Sequence, residues 1–495
     1  MQMKKTQQWL VCFDTDRIKQ YLFATNRLKE IRGGSALIAG LDEERKNTLQ
    51  ERYGQENVVY SAGGGAAVLV PTEQEAQTLI AEIERDFRTD TIITSITGIY
   101  LQVGLTSEKF GAEMTRAGKA LRRAKAAKAE LTSLPVESYM RLCDSCGQHP
   151  AAQHAQDKSG DWLCLACHKK REWGHEKRKG FFADFVQCTQ SEVWQKISLP
   201  EDLDAIGSVA SPPGYVGFIA LDGNQIGDLL GKPATREAYK AFSDGLWGLT
   251  KDQTFAALKQ YGQPGNGIAP FEIVLIGGDD VLLITAADIA LKVALAIAEG
   301  FEKQSPARVL APAGLSGERE KLTMAGGVVL AHAGFPIPAM HALAEALQKS
   351  AKRLCAEQKY QTGAIDFQVV TSSDTDLDAI RQGVPHRRPY ALPDLRKLLG
   401  HIRQLKAADI PTSQLQAMYQ ALFEGEVNAQ LASIATLGYL GRSTDKTRYN
   451  RLKQFFKDFG VQFDGQLPPW DAHKRSALTD LVELYPFIST KGEAE

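Results

Sequence analysis

The stretch FEIVLIGGDDVLLIT, residues 271–285, sets two glycines and two aspartates between two apolar runs. Gly277 and Gly278 suit the tight turn of a β-hairpin and leave room for a phosphate to approach the backbone. Asp279 and Asp280 are adjacent carboxylates, hard oxygen ligands of the kind that hold Mg2+ or Mn2+. Side chains alternate along a strand, so one of the pair is expected as the main ligand and the other in support. The structural alternative is a polar turn, for which Gly-Asp is ordinary chemistry. A third carboxylate, Asp222, closes the apolar run YVGFIALD (215–222) and is followed by Gly223, Asn224 and Gln225. That order reads as strand, turn and helix start, where backbone N–H groups can hold phosphates. An aspartate at a strand end facing an aspartate pair on a hairpin is a donor set for two-metal phosphoryl transfer, in which metals bridge a triphosphate and lower the pKa of an attacking hydroxyl. Asp222 could also cap the helix, and the two roles are compatible. Lys352 lies on the helix expected after the following strand and could meet a β- or γ-phosphate. With Lys349 and Arg353 beside it, a solvated basic helix face is the alternative.

Four of the seven cysteines form two knuckles, Cys143-x2-Cys146 and Cys164-x2-Cys167, seventeen residues apart. Each knuckle chelates one side of a tetrahedral ion, so Zn2+ is the expected metal. Four thiolates leave no open position, and the site is read as structural rather than catalytic. His149, His154 and His168 lie nearby but are not needed. Cys12, Cys188 and Cys355 are read as core or incidental thiols.

The elements that must position these groups occur twice. In the first half, QWLVCFD (8–14) is a strand ending in Asp14. Residues 17–40 have helical apolar spacing with Gly33-Gly34 as a weak point. NVVYS (57–61) and AAVLV (66–70) form a hairpin around Gly63-Gly64-Gly65. Residues 72–87 form a helix capped by Thr72, residues 91–104 are β-rich, and residues 110–130 form a helix with a basic face. In the second half, 215–222 is a strand, 271–276 and 281–285 a hairpin, 288–303 a helix, 322–334 a strand, 338–358 a helix and 365–370 a strand. KALRRAK (119–125) and EALQKSAK (345–352) also match locally. The chain is an internal duplication at domain scale. The first hairpin has no carboxylates, so the first half, with Asp14, Gly63, Gly64 and Gly65, is assigned nucleotide binding without metal chemistry. ATNRLKEIRGGSALI (24–38) could touch a phosphate, with a plain amphipathic helix as the alternative.

The predicted class is α+β, each half an antiparallel sheet with helices on one face. The expected domains are 1–140, a cysteine-rich insert and linker over 141–213, 214–385, and a helical region over 386–495. Within the second half, 305–321 is rich in Pro, Gly and charge and reads as a mobile loop, and the last residues, STKGEAE, are expected to fray. HKKREWGHEKRKG (168–180) could offer a basic surface to RNA, with a solvated linker as the alternative. The 495 residues, 43% hydrophobic and 24% charged, are ordinary for soluble domains, and the net charge of −1 excludes a polyanion binder by overall composition. No run reaches the eighteen or so apolar residues of a membrane helix, and the N-terminus lacks a signal-peptide pattern. A cytoplasmic protein is expected.

Together FDTDRIKQYLFATNRLKEIRGGSALI, the two cysteine knuckles, FIALDGNQIG, LIGGDDVLLIT, AGGVVLAHAGFPI and EALQKSAKRLC give a resemblance over nearly the whole chain. The sequence resembles the large signalling subunit of type III CRISPR systems. That family has two ferredoxin-like Palm domains of the polymerase/GGDEF-cyclase type, a zinc-ribbon insert and a helical C-terminal domain. The resemblance implies synthesis of linear or cyclic oligoadenylates from ATP, or from another NTP, with Mg2+ or Mn2+. Asp222, Asp279 and Asp280 would match the catalytic metal ligands. Gly223, Asn224, Gln225, Gly277, Gly278 and Lys352 would contact the donor nucleotide. Asp14 and Gly63 to Gly65 would seat an acceptor, and the product would activate a downstream effector. Two departures stand out. The chain starts at the first Palm without the family's histidine–aspartate nuclease domain, so DNA cleavage is not expected. The strand-end motif is Asp222-Gly223-Asn224 where the family often has Asp-Gly-Asp. The first-half string is closer to free-standing relatives. The alternative is a scaffold and signalling subunit of a guide-RNA effector complex, with RNA and CRISPR-type protein subunits as partners.

Overall fold

The computed structural model describes residues 8–104, 110–128, 139–157, 159–175, 180–461, 469–471 and 473–489. The first half contains β1 (Gln8–Thr15), α1 (Ile18–Leu22), α2 (Leu28–Tyr53), β2 (Val58–Ala62), β3 (Gly65–Val70), α3 (Glu73–Thr91), β4 (Ile96–Val103) and α4 (Phe110–Ala127). Next come β5 (Gln153–His154), β6 (Trp162–Leu163), α5 (Leu165–His175), α6 (Phe181–Thr189), α7 (Glu192–Gln195) and α8 (Leu203–Ser208). The second half has β7 (Tyr215–Gly223), α9 (Ile226–Leu229), α10 (Arg236–Tyr261), β8 (Phe271–Gly277), β9 (Asp280–Ala286), α11 (Ala287–Ser305), β10 (Met324–His332), α12 (Ile337–Glu357) and β11 (Ala364–Val369). The chain ends with α13 (Leu377–Arg381), β12 (Tyr390–Ala391), α14 (Leu392–Ala407), α15 (Thr412–Glu424), α16 (Glu426–Leu440), α17 (Thr447–Asp458) and α18 (Ala477–Leu484).

The first sheet has the order β2-β3-β1-β4 and is antiparallel throughout. The second has the order β12-β11-β10-β7-β9-β8. Its one parallel pair, β10 with β11, is joined by α12, as a crossover requires. In each sheet the strand ending in an aspartate, β1 or β7, pairs with the strand leaving the glycine-rich turn, β3 or β9. This pairing brings the two motifs of each half together.

Helices on one face of each sheet were expected, but both faces are covered. Ile219, Leu221, Leu283 and Val328 pack toward α10 and α11, while Phe218, Leu282, Ile284 and Val329 pack toward α12. In the first sheet Val11 and Phe13 face α3, and Leu10 and Cys12 face α4. Strands buried on both sides read as unbroken apolar runs, without the alternation that would mark a solvent face. The halves also share a core. Tyr21, Leu22, Phe23, Leu28 and Ile31 pack with Phe218 of β7 and with Met340 and Leu343 of α12. Arg32 Nε reaches across to the buried Glu272 of β8 at 2.8 Å.

Three sequence expectations change. Gly33-Gly34 is not a weak point, and the 24–38 segment is used for packing. A Cβ on Gly33 would lie 1.6 Å from the Lys170 carbonyl oxygen, and one on Gly174 2.0 Å from that of Lys29, so α2 and α5 cross with their backbones in contact. In the described part of the basic run from 168, the cations are paired or buried. Lys169 pairs with Asp90 at 2.8 Å, Lys170 is buried over the Tyr21 ring, and Arg171 meets the buried Glu30 at 2.6 Å. Residues 176–179 lie outside the described residues. The 305–321 segment is not a free loop. A π-helical turn, Pro306–Leu310, prolongs α11, and Val309, Leu310, Ala313 and Leu315 are buried. Those four apolar residues are hidden in sequence by the Pro, Gly and charge between them.

Leu395, Leu398, Ile402, Phe455 and Leu481 of the C-terminal helices join one core with Phe301, Ile365 and Phe367. Residues 490–495, expected to fray, lie outside the described residues. Among the described residues no helix is long and apolar enough to cross a membrane.

Candidate nucleotide and metal site

The β8–β9 register pairs Gly277 with Asp280 and leaves Gly278-Asp279 as a two-residue turn. Gly278 has φ +62°, which glycine adopts without steric cost. In the first half Ala62 pairs with Gly65, and both turn glycines, Gly63 (+64°) and Gly64 (+82°), are left-handed. The two tips touch. A Cβ on Gly63 would lie 3.4 Å from the Gly277 Cα, and one on Gly277 3.5 Å from the Gly63 Cα.

The carboxylates divide between the two faces of the second sheet. β7 and β9 pair Leu221 with Val281, both in the core toward α11. Alternation then sends Asp222 and Asp280 to the other face, toward α12 and α1. Asp222 is ion-paired with Lys352 of α12. Asp280 Oδ2 lies 3.9 Å from Lys19 Nζ of α1, and Lys19 is 3.4 Å from Glu345 of α12. Asp279 turns the opposite way and lies against Gly223, so close that a Cβ on Gly223 would lie 2.7 Å from its Oδ2. Burial, then the Asp280 charge, pushes the Asp279 carboxyl up to about 7. Burial also raises Asp280, with Lys19 opposing. A buried carboxyl raised in this way beside a second carboxylate marks a candidate functional site.

Among the described residues, only the four cysteines bring three or more metal-ligating atoms within 4.8 Å of one another. Asp222, Asp279 and Asp280 do not converge to that degree, and ammonium groups lie against Asp222 and Asp280. The donor set still fits a hard divalent cation, because Asp222 and Asp280 are neighbouring oxygen donors on one face. The cleft beside Asp280, about 480 Å3, is lined by Thr15, Arg17, Lys19, Gly63, Gly277 and Asp280 itself.

The residues after Asp222 differ from the expected phosphate-binding helix start. Asn224 is buried and its Nδ2 donates to Thr323 Oγ1 at 3.0 Å, away from the cleft. Gln225 has φ +56° and is bonded by Arg319. α9 is a single turn of four residues, and Asp222 does not cap it. Gly223 serves by admitting Asp279 alongside it.

The first half repeats one feature. Lys125 pairs with Asp14 at 2.5 Å, as Lys352 pairs with Asp222. Asp16 accepts from Ser95 at 2.7 Å and Thr97 at 2.8 Å. In place of a turn aspartate, Asp42 comes from α2 to accept the Gly64 N–H at 2.6 Å, with Arg45 paired to it. Lys19, Asp42, Arg45 and Glu345 were not singled out from sequence. The matched strings KALRRAK and EALQKSAK do carry the Lys125–Lys352 correspondence.

The Cys143, Cys146, Cys164 and Cys167 sulfurs all lie within 4.8 Å of one another. Cys164 Sγ accepts the Cys167 N–H at 3.4 Å, as in a metal knuckle. This four-sulfur cluster fits Zn2+, and His149, His154 and His168 are not part of it. Cys12 and Cys355 are buried, and Cys188 is exposed.

Residues 215–360 match the family model described as Cas10/Cmr2, second palm domain. Comparison with curated proteins gives no match. Among solved structures, a chain of the Csm1-Csm4 cassette in complex with AMPPNP has a TM-score of 0.58 at 14% identity, covering 98% of this chain and 70% of that chain. Csm1 in T.onnurineus gives 0.56 at 13%, covering 97% and 70%. A chain of the Csm1-Csm4 subcomplex in the type III-A CRISPR-Csm interference complex gives 0.57 at 14%, covering 98% and 70%. The chain therefore carries a palm domain of the Cas10/Cmr2 kind within a Csm1-like α+β fold. The resemblance to the Palm-domain subunits of type III CRISPR systems is borne out.

Proposed function

We propose that the chain is a metal-dependent nucleotidyltransferase. It joins ATP, or another nucleoside triphosphate, into linear or cyclic oligonucleotides that act as second messengers in antiviral defence. The observation that carries this reading is the contact of the Gly63 and Gly277 tips beside Asp222, Asp279 and Asp280. Two nucleotides seated at touching tips would have their reacting ends next to each other. The second half, 214–385, would hold the donor, and the first, 1–140, the acceptor. The acceptor 3′-hydroxyl would attack the donor α-phosphorus. A P–O bond would form, the α–β bridge would break, and pyrophosphate would leave, with the hydroxyl proton passing to water. Lys352 and Lys19 would supply positive charge to the phosphates, and the tip glycines would admit them to the backbone.

Asp222 and Asp280, with Asp279 in support, would hold Mg2+ or Mn2+, which when bound supplies Lewis acidity at the phosphates. The insert, 141–213, would carry a structural Zn2+, and 386–495 a helical domain. The solved neighbours crystallised with cA4 and AMPPNP support nucleotide binding at this fold. Free cytoplasmic ATP would be the substrate, and an effector protein would receive the product.

A second reading is favoured by the solved neighbours themselves, which are Csm1-Csm4 assemblies. In it the chain is the scaffold and signalling subunit of a guide-RNA complex. The test is incubation of the purified chain with each NTP and Mg2+ or Mn2+, beside the Asp279→Ala/Asp280→Ala variant, with products read by mass spectrometry. Oligonucleotides from the wild type alone support the enzyme. No product until RNA or a protein partner is added favours the second reading. Equal output from the variant removes the catalytic assignment.

A further inference from the structure

We propose that Lys19 is a built-in counter-cation of the second half's site. Its ammonium neutralises Asp280 until a metal-bound nucleotide arrives and then moves to the triphosphate. The inference rests on the reading of Asp222 and Asp280 as metal ligands.

Lys19 belongs to the first half, yet its backbone is fixed against the second. Tyr21 and Leu22 of the same short helix are buried in the core formed with β7, β9 and α12. The side chain crosses the boundary and its Nζ lies 3.4 Å from Glu345 and 3.9 Å from Asp280. The hydrogen bond goes to Glu345, and the contact with Asp280 is longer. Lys19 is therefore tethered by Glu345 and only leans on Asp280. His341, one turn earlier on α12, is stacked on Phe23 at 4.3 Å, and its Nε2 lies 3.5 Å from the Glu345 carboxylate without a hydrogen bond to it. At 31% exposure the Lys19 side chain is open to the cleft that Arg17, Gly63 and Gly277 also line. A divalent cation on Asp280 repels the ammonium, and Glu345 keeps it within reach of an anion entering that cleft.

A lysine that merely supports the fold would affect all binding in one direction. A counter-cation affects two ligands in opposite directions, and this separates the roles. The measurement uses the full chain with its zinc retained. Free Mn2+ binding is followed by electron paramagnetic resonance, then the binding of a non-cleavable α,β-methylene ATP in the presence of Mn2+. In Lys19→Gln free Mn2+ is expected to bind about three- to tenfold tighter, because the competing charge is gone. The analogue is expected to bind about three- to tenfold weaker, because a phosphate contact is lost. Lys19→Arg should restore both values toward wild type. Asp280→Asn is the control for the underlying reading and should remove a Mn2+ site. If Lys19→Gln weakens both ligands or alters neither, the counter-cation role is overturned while the metal reading stands. If Mn2+ binding is indifferent to Asp280→Asn, the metal reading fails and this inference fails with it.

Discussion

Gly63 and Gly277 meet at the tips of two hairpins, one from each half, with no side chain between them. The contact sets the spacing of any two nucleotides held there. Gly63→Val would force a branched residue into φ +64° and drive the tips apart. Misplacing reacting groups by an ångström can cost about a hundredfold. Nucleotide joining by Gly63→Val is therefore expected to fall at least about tenfold, while binding of one ATP analogue to the second half is retained. Turnover and analogue titration check this, and unchanged turnover would separate the tips from the chemistry.

The crossing of α2 and α5 makes a prediction of unusual sign. Glycine to alanine inside a helix normally stabilises by roughly 1 kcal/mol. At Gly33 the new Cβ would meet the Lys170 carbonyl at 1.6 Å, so the helices must separate. Gly33→Ala is expected to destabilise by roughly 1–3 kcal/mol, the usual range for overpacking. Thermal or denaturant unfolding gives the sign directly, and stabilisation would contradict the packing.

Asp279 gives a pH dependence. Burial raises its carboxyl from 3.8 to about 7 in the folded chain, so the native state holds this proton more tightly than the unfolded state does. Its stabilising contribution is complete below the ordinary value and is lost as pH rises through about 7. In chelator, Asp279→Asn should therefore gain stability relative to wild type as pH climbs from 5.5 to 8.5 across that window, read as roughly a widening melting-temperature difference. Parallel curves would contradict the burial of this group.

The cysteine cluster predicts one tightly held zinc per chain by elemental analysis. Cys164→Ser should lose the metal and lower the melting temperature, because metal binding contributes to folding. α5 begins beside Cys164 and packs on α2, so the loss should reach the Arg171–Glu30 and Lys170–Tyr21 contacts. Hydrogen exchange across 165–175 checks that spread. Unchanged exchange there would place the insert's stability elsewhere.

Much of this was legible in the sequence. The strand ends at Asp14 and Asp222, the glycine tips and the cysteine knuckles are short-range patterns that backbone chemistry imposes locally. Lys352 was legible through the matched helix strings, although its pairing with Asp222 was not. What stayed hidden depends on pairing distant elements. Lys19 sits in a five-residue helix with no periodicity to read, and its role follows only from α1 docking on the second half. Asp42 and Arg45 lie on a long helix, and their contacts with Gly64 and Gly65 depend on how α2 crosses the first sheet. Gly33 was misread for the same reason, and the pairing of Lys169, Lys170 and Arg171 was hidden by it. A glycine or lysine that serves a helix crossing looks locally like flexibility or free charge.

The most direct test of the central claim is the fate of the phosphates when the chain turns over α- and γ-labelled ATP. One pyrophosphate should be released for each new linkage, with the α-label retained in the oligonucleotide and both lost in Asp279→Ala/Asp280→Ala. Release of orthophosphate with ADP would mean cleavage between the β- and γ-phosphates and would contradict the claim.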